Sequence, residues 1–464
     1  MADTPWLGDT CSLVDAFRAG ERSPAEELEA TLAAIERSDL NAFSFLDPDQ
    51  ARETAKTADV SLPFGGVPIG VKELTSVAGW PATEASLVFK DDVAAHTSTM
   101  IERLRRSGAV TFGLTTASEF GGINLTSTKL NGSTKNPWEK EHTPGGSSGG
   151  AAAAVAGGLC TIATGGDGGG SIRIPAGFTG TLGLKNTYGR IPKGPKMVLA
   201  SLTAVSGCLA RSVRDTARYL DVCNGFDHRD PYSLPYVGGW EAGLGTTIEA
   251  LRNKRAVIAP TLGSALVHSD VAEQVTETAE WLAKHVGLEL VDIPVKTPEL
   301  SLEWALAGMA EIVMELGDRY PDCADDLTPE IAFGLKFAHK IYDIKTRGSI
   351  ERQRLAMNEC MAAVFDEVDF VFAATNPDIA FGHAGPMPQK VDGIDAGLGN
   401  NGALTIPSNI FGNPAISVPI GQSRGLPIGI QILSPHHTEA WLLSLAQEIE
   451  RERPWPLVAP GSPH

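Results

Sequence analysis

Two glycine-rich loops constrain this chain more than any other feature. Between Gly145 and Gly183, a window of 39 residues, 14 positions are glycine. Most of them fall in Gly145-Gly146-Ser147-Ser148-Gly149-Gly150 and in Gly165-Gly166-Asp167-Gly168-Gly169-Gly170-Ser171. Glycine is required where φ turns positive or where another group comes close to the main chain. The segment from Ala151 to Gly158 lies between the loops and suits a helix packed closely against backbone. The 50 glycines of the 464 residues follow no period of three, which excludes a collagen-like chain. Hydrophobic residues make up 42%, enough for a core, so the chain is not disordered as a whole.

Loops of this kind admit three readings. Phosphate binding would need GxxxxGK[ST], and no lysine follows either cluster; a dinucleotide fingerprint is not offered cleanly either. A nucleophile loop fits better, because a serine after three glycines sits among unshielded N–H groups that can donate to an oxyanion. The nearest histidine in sequence, His142, precedes the first loop. A serine without histidine needs another proton acceptor, and a desolvated lysine is the usual substitute. The third reading is that both loops are tight turns and nothing more.

Charge narrows the partners. With 38 Lys and Arg against 56 Asp and Glu the net charge is -18. This argues against a general nucleic-acid binder, which needs a basic face, and against docking on anionic membranes. The expectation is therefore no nucleic-acid and no membrane partner. Six scattered cysteines form no CxxC pair, no disulfide framework and no zinc spacing. Met1-Ala2-Asp3-Thr4-Pro5 lacks the basic and apolar regions of a secretory signal, so a cytoplasmic location is expected. The stretch from Ala151 to Gly166 is too short to span a bilayer.

Along the chain, helical and short strand patterns alternate, which predicts an α/β fold with a largely buried sheet. Ser23-Pro24-Ala25-Glu26 reads as a helix start, with Leu28, Leu32 and Ile35 on one face. Strands are expected over 63–71, 109–113, 255–259, 288–293, 369–372 and 428–432. Asp270 and Glu273 look like a capping box ahead of a helix carrying Val271, Val275, Ala279 and Leu282. Further helices are expected over 99–107, 351–366 and 438–451. The whole chain reads as a single domain: N-terminal helices over about 1–60, a core over 61–225, a less regular cap and loop region over 226–350, and the rest of the core over 351–464.

The spacing of the two loops closely resembles the amidase signature. Ser147 and Ser171 stand 24 residues apart, as the paired serines of that family do. Gly70-Val71-Lys72-Glu73 resembles its lysine motif, and Asn136-Pro137-Trp138 with Thr143-Pro144 its approach to the first loop. Gly183-Leu184-Lys185, Asn409 to Pro419 and Gly425 to Gln431 also match. The resemblance runs over about residues 10 to 450. It implies a central mixed, twisted β-sheet covered by helices on both faces. It implies Ser171 as nucleophile, Ser147 as a bridging serine after a cis peptide bond, and Lys72 as general base. The N–H groups of Gly168, Gly169, Gly170 and Ser171 would form the oxyanion hole, and Gly121 and Gly122 would line the substrate pocket. No metal and no cofactor is implied. Lys72 would have to be largely neutral near pH 7–8, well below its ordinary ~10.4, which requires burial.

Several neighbours are read as structural. Ser148 is a loop serine, Asp167 and Arg173 brace the loop, Glu73 points away from Lys72, His142 lies on the surface and Cys160 in the core. Gly166 and Gly168 stand where the family often carries threonine, which leaves the loop less braced and suggests wider acyl groups. The expected activity is that of a stand-alone amidase, as a monomer or homodimer, on small-molecule amides, aryl amides or carbamates (urethanase-like). Two alternatives stand beside it: the glutamine-hydrolysing subunit of a transfer-RNA-dependent amidotransferase, and an inactive binding homologue.

Overall fold

Short buried strands separated by helices build one large sheet. The structure is a computed structural model that describes residues 4–196 and 202–463. The reading of Met1 to Asp3 lies outside the described residues. Eleven strands form the sheet among them: β1 Phe43–Leu46, β2 Pro68–Lys72, β3 Val110–Thr115, β4 Ile162–Asp167, β5 Leu182–Lys185, β6 Val205–Ala210, β7 Arg255–Ile258, β8 Glu289–Leu290, β9 Phe370–Ala374, β10 Ala415–Ser423 and β11 Leu426–Leu433. Their spatial order is β1-β3-β2-β4-β6-β5-β10-β11-β9-β7-β8. β2 runs parallel to β3 and β4. β4, β6, β5, β10, β11 and β9 alternate in direction. β9, β7 and β8 are again parallel. The sheet is mixed, as the resemblance implied.

Successive side chains leave a strand on opposite faces. Ile162 accordingly joins one apolar cluster and Ala163 the other; Cys208 and Ala210 lie on one side and Leu209 on the other. The second face is covered by the helix Gly149–Ala156, all of whose residues are buried. The first is covered by Val213–Cys223, Ser269–Val286 and Glu439–Glu452, whose apolar stripes include Leu220, Val275 and Leu443.

Local signals survive well. Ser23 Oγ accepts from Glu26 N–H at 3.2 Å while the Glu26 carboxylate accepts from Ser23 N–H at 2.7 Å, a complete capping box. Two expectations need correction. Asp270 does not cap its helix: the cap is His268, whose Nδ1 accepts from Asp270 N–H at 3.3 Å, and Asp270 turns to Gln274 and Ser423. The strand expected over 288–293 is reduced to Glu289–Leu290 at the sheet edge, where only one neighbour is available to pair. The 226–350 region holds the helix and the strands expected within it, together with two further helices. It supplies β7 and β8 and the helices Ser269–Val286, Ser301–Leu316 and Pro329–Ile341.

Candidate active site

Adjacent parallel strands carry the first two pieces of the site to one end of the sheet. β2 ends in Lys72, and its neighbour β4 runs directly into the second glycine loop. The first loop closes over the same point because the helix after it is pressed onto the end of β3. A Cβ on Gly150 would lie 2.3 Å from Thr116 Oγ1, so only glycine fits there. The Gly146–Ser147 peptide bond is cis.

Lys72 is 4% exposed. Its Nζ donates to Ser147 Oγ at 2.7 Å, to Ser148 Oγ at 2.9 Å and to Gly166 O at 3.4 Å. None of these partners is a carboxylate. Burial drives the ammonium down to about 7, against the opposing pull of the Asp167 and Glu84 charges. A lysine in this state exchanges its proton near neutral pH. Ser171 lines the same cavity, and among the described residues its Oγ has no hydrogen-bond partner. Ser147 and Ser171 are not hydrogen-bonded to each other here; such contacts often tighten only in the substrate complex.

The second loop is held by a buried ion pair. Arg173 Nη2 lies 2.9 Å from Asp167 Oδ1, and neither side chain is exposed. Asp167 Oδ1 also accepts from Gly170 N–H at 2.8 Å and from Asn409 Nδ2 at 2.9 Å. Burial alone would raise the Asp167 carboxyl; the Arg173 guanidinium overrides it and holds the group well below the usual carboxylate range. Gly170 N–H is therefore engaged by Asp167, whereas Gly168, Gly169 and Ser171 N–H donate to no protein acceptor among the described residues.

Gly121 and Gly122 lie on the cavity wall. A Cβ on Gly121 would stand 3.3 Å from Ser147 Oγ, and one on Gly122 only 2.6 Å from the Ile331 side chain. Glu73 is fixed away from Lys72 by hydrogen bonds from Thr83 at 2.5 Å and Asn131 at 2.8 Å. Cys160 is buried. His142, expected on the surface, is half-buried and bridges to Gly382. Ser148 does more than shape the loop, since it contacts the Lys72 amine. The cavity, of about 290 Å³, also takes in Glu84, Lys193, Glu311, Glu315 and Trp304. No motif marks these residues; long-range folding brings them in.

A family model described as Amidase matches residues 26–443. The chain belongs to the amidase signature family. Among curated relatives, a glutamyl-tRNA(Gln) amidotransferase subunit from Synechococcus sp. (strain RCC307) is 34% identical over 94% of this chain and 96% of its own length. Among solved structures, a bacterial aryl acylamidase of the amidase signature family superposes with a TM-score of 0.88, at 28% identity over 97% of each chain. A 6-aminohexanoate cyclic dimer hydrolase bound to its substrate gives 0.87, at 26% identity over 98% of this chain and 99% of the other.

The Synechococcus relative corrects the expected partners. That protein is by name one subunit of an enzyme acting on a transfer RNA. A small-molecule substrate, a monomer or homodimer, and no nucleic acid therefore do not stand as this family member's expected partners. The net charge of -18 does not exclude an RNA: it describes one chain's surface, and within an assembly another chain can be the one that meets the nucleic acid. Among the described residues no helix is long and apolar enough to cross a membrane.

Proposed function

We propose that this chain cleaves the C–N bond of a carboxamide by acyl transfer to Ser171. The observation that carries the reading is a buried Lys72 amine 2.7 Å from Ser147 Oγ, in the cavity that also holds Ser171. Neutral Lys72 takes the Ser147 proton, Ser147 takes that of Ser171, and Ser171 Oγ attacks the carbonyl carbon. Gly168, Gly169 and Ser171 N–H would receive the oxyanion. The proton returns through Ser147 to the leaving nitrogen, because an amide anion is a very poor leaving group. Water then releases the acid by the same relay.

The curated relatives favour glutamine as the amide, with this chain as the hydrolytic subunit of a transfer-RNA-dependent amidotransferase. In that case Lys193 is the lining cation other than the base that could meet the α-carboxylate, and Glu84, Glu311 or Glu315 could meet the α-ammonium. A second reading, a bulkier amide in place of glutamine, is favoured by the apolar part of the lining. Leu74, Phe120, Trp304, Met309 and Ile312 form it, and no arginine lines the cavity among the described residues. The aryl acylamidase likeness points the same way.

The test is fluorophosphonate labelling followed by a panel of glutamine, a primary aliphatic amide, acetanilide, an aryl carbamate and an aryl ester. Labelling of Ser171 that is lost in Ser171→Ala supports the chemistry; labelling elsewhere overturns it. Ammonia release from glutamine selects the first substrate reading, and turnover of acetanilide with inert glutamine selects the second.

A further inference from the structure

The nucleophile loop, with glycine at 166 and 168, is braced from outside itself. Trp304, on the helix Ser301–Leu316, donates from its indole Nε1 to Gly168 O at 2.7 Å. The indole lies flush on the loop: a Cβ on Gly169 would come within 2.5 Å of the ring. Thr405 Oγ1 holds the next carbonyl, Gly169 O, at 2.6 Å. Gly168 C=O and Gly169 N–H belong to one planar trans peptide and point in opposite directions. A group that fixes the carbonyl therefore fixes the N–H, and a hydrogen bond to the carbonyl also polarises that N–H.

We propose that Trp304 is a positioning residue for the oxyanion hole, its indole N–H setting the Gly168–Gly169 peptide so that Gly169 N–H meets the oxyanion formed on Ser171. Two observations separate this from ordinary packing. The acceptor is the backbone of the nucleophile loop, 136 residues away in sequence. The Gly169 N–H at the other end of that peptide has no protein acceptor among the described residues. The indole thus braces, from a distant helix, a loop in which positions 168 to 170 carry no side chain of their own.

The inference rests on Ser171 as nucleophile, and the experiment keeps the two apart. The full-length chain and Trp304→Phe, which keeps a ring over Gly169 but loses the donor, are titrated with a fluorophosphonate probe, and kinact and KI are determined. The phosphoryl oxygen of the probe enters the same hole as a substrate oxyanion. Expected is a fall in kinact of about 10-fold, less than the ~10²–10³ for loss of a whole donor, with KI within about twofold. Affinity for an aryl trifluoromethyl ketone, whose serine hemiketal carries an oxyanion, should weaken by the same factor. Should Trp304→Phe not fold, the benzothienyl analogue of tryptophan at 304 removes the N–H and keeps the shape. Equal kinact and equal ketone affinity in wild type and variant overturn the role of Trp304. No labelling of Ser171 in the wild type overturns the parent reading, and this proposal with it.

Discussion

The Lys72 amine lies 2.7 Å from the Ser147 hydroxyl and, among the described residues, within hydrogen-bond distance of no carboxylate. Its proton affinity is therefore set by burial more than by any ion pair, and burial brings it down to about 7. The neutral amine is the working base, so kcat/KM should rise as pH climbs through about 7 and level off above 8. A profile flat from pH 6 to 9, with chemistry rate-limiting, would falsify lysine as base.

The same burial burdens the fold. Below about pH 7 the folded chain must carry the ammonium out of water, while the unfolded chain holds it at an ordinary ~10.4. Between these values the unfolded state binds the extra proton, so this group's penalty shrinks as pH rises. Lys72→Met should be inactive yet more stable at pH 6, by roughly 1–3 kcal/mol after the lost hydrogen bonds are offset. Urea unfolding of both proteins at pH 6 and 9 checks this, and a less stable variant at pH 6 contradicts it.

Ser147 and Ser148 both touch the amine, at 2.7 and 2.9 Å, but their other contacts differ. Ser148 Oγ is tied to Gly166 O at 3.2 Å and to Gly166 N–H at 3.3 Å, which leaves it the role of orienting Lys72. Ser147→Ala should lower kcat by about 10³-fold or more, as loss of a relay member does, and Ser148→Ala by only about 10-fold. Equal losses would mean that the relay can run through either hydroxyl.

What was legible in the sequence was local or carried by the family resemblance. Ser23-Pro24-Ala25-Glu26 reads as a helix start, and the helix does begin at Pro24, with Ser23 and Glu26 closing a capping box around it. Lys72, Ser147 and Ser171 are what the resemblance to the amidase signature implies, and the structure gathers them in one cavity. What was not legible depends on elements far apart in the chain. Trp304 reaches Gly168 across 136 positions of sequence, from a helix on which Leu302, Leu306, Met309 and Val313 share one face and Trp304 lies on the other. Asp270 matched a cap pattern, but Ser423 and Gln274 offered its carboxylate other partners. His142 looked like a loop residue because its bridge to Gly382 spans 240 positions of sequence.

Asp167 and Arg173 form a fully buried pair, so removing one charge leaves the other unpaired. Asp167→Asn should cost about 3–5 kcal/mol of stability at pH 7. Because the Asp167 carboxyl is held well below its unfolded value of ~3.9, its contribution is present above about pH 4 and is lost as pH falls below that. The gap between wild type and Asp167→Asn in denaturant midpoint should therefore narrow between pH 5 and pH 2. A gap that stays constant would show that the carboxylate charge is not what holds the loop.

Adjacent glycines in the nucleophile loop should respond in opposite ways. A Cβ on Gly168 would meet Ala204 Cβ at 3.4 Å, an ordinary contact, whereas on Gly169 it would be driven to 2.5 Å from the Trp304 ring. Gly168→Ala should fold with a stability change under about 0.5 kcal/mol. Its effect should fall on substrate choice, because the added methyl borders the cavity that Gly168 lines. Gly169→Ala must displace the indole or the loop, and should lose about 1–3 kcal/mol and most of its activity. Thermal unfolding and kcat/KM for a small and a bulky amide separate the two. If Gly168→Ala lowers both rates equally, the space at 168 does not select the acyl group.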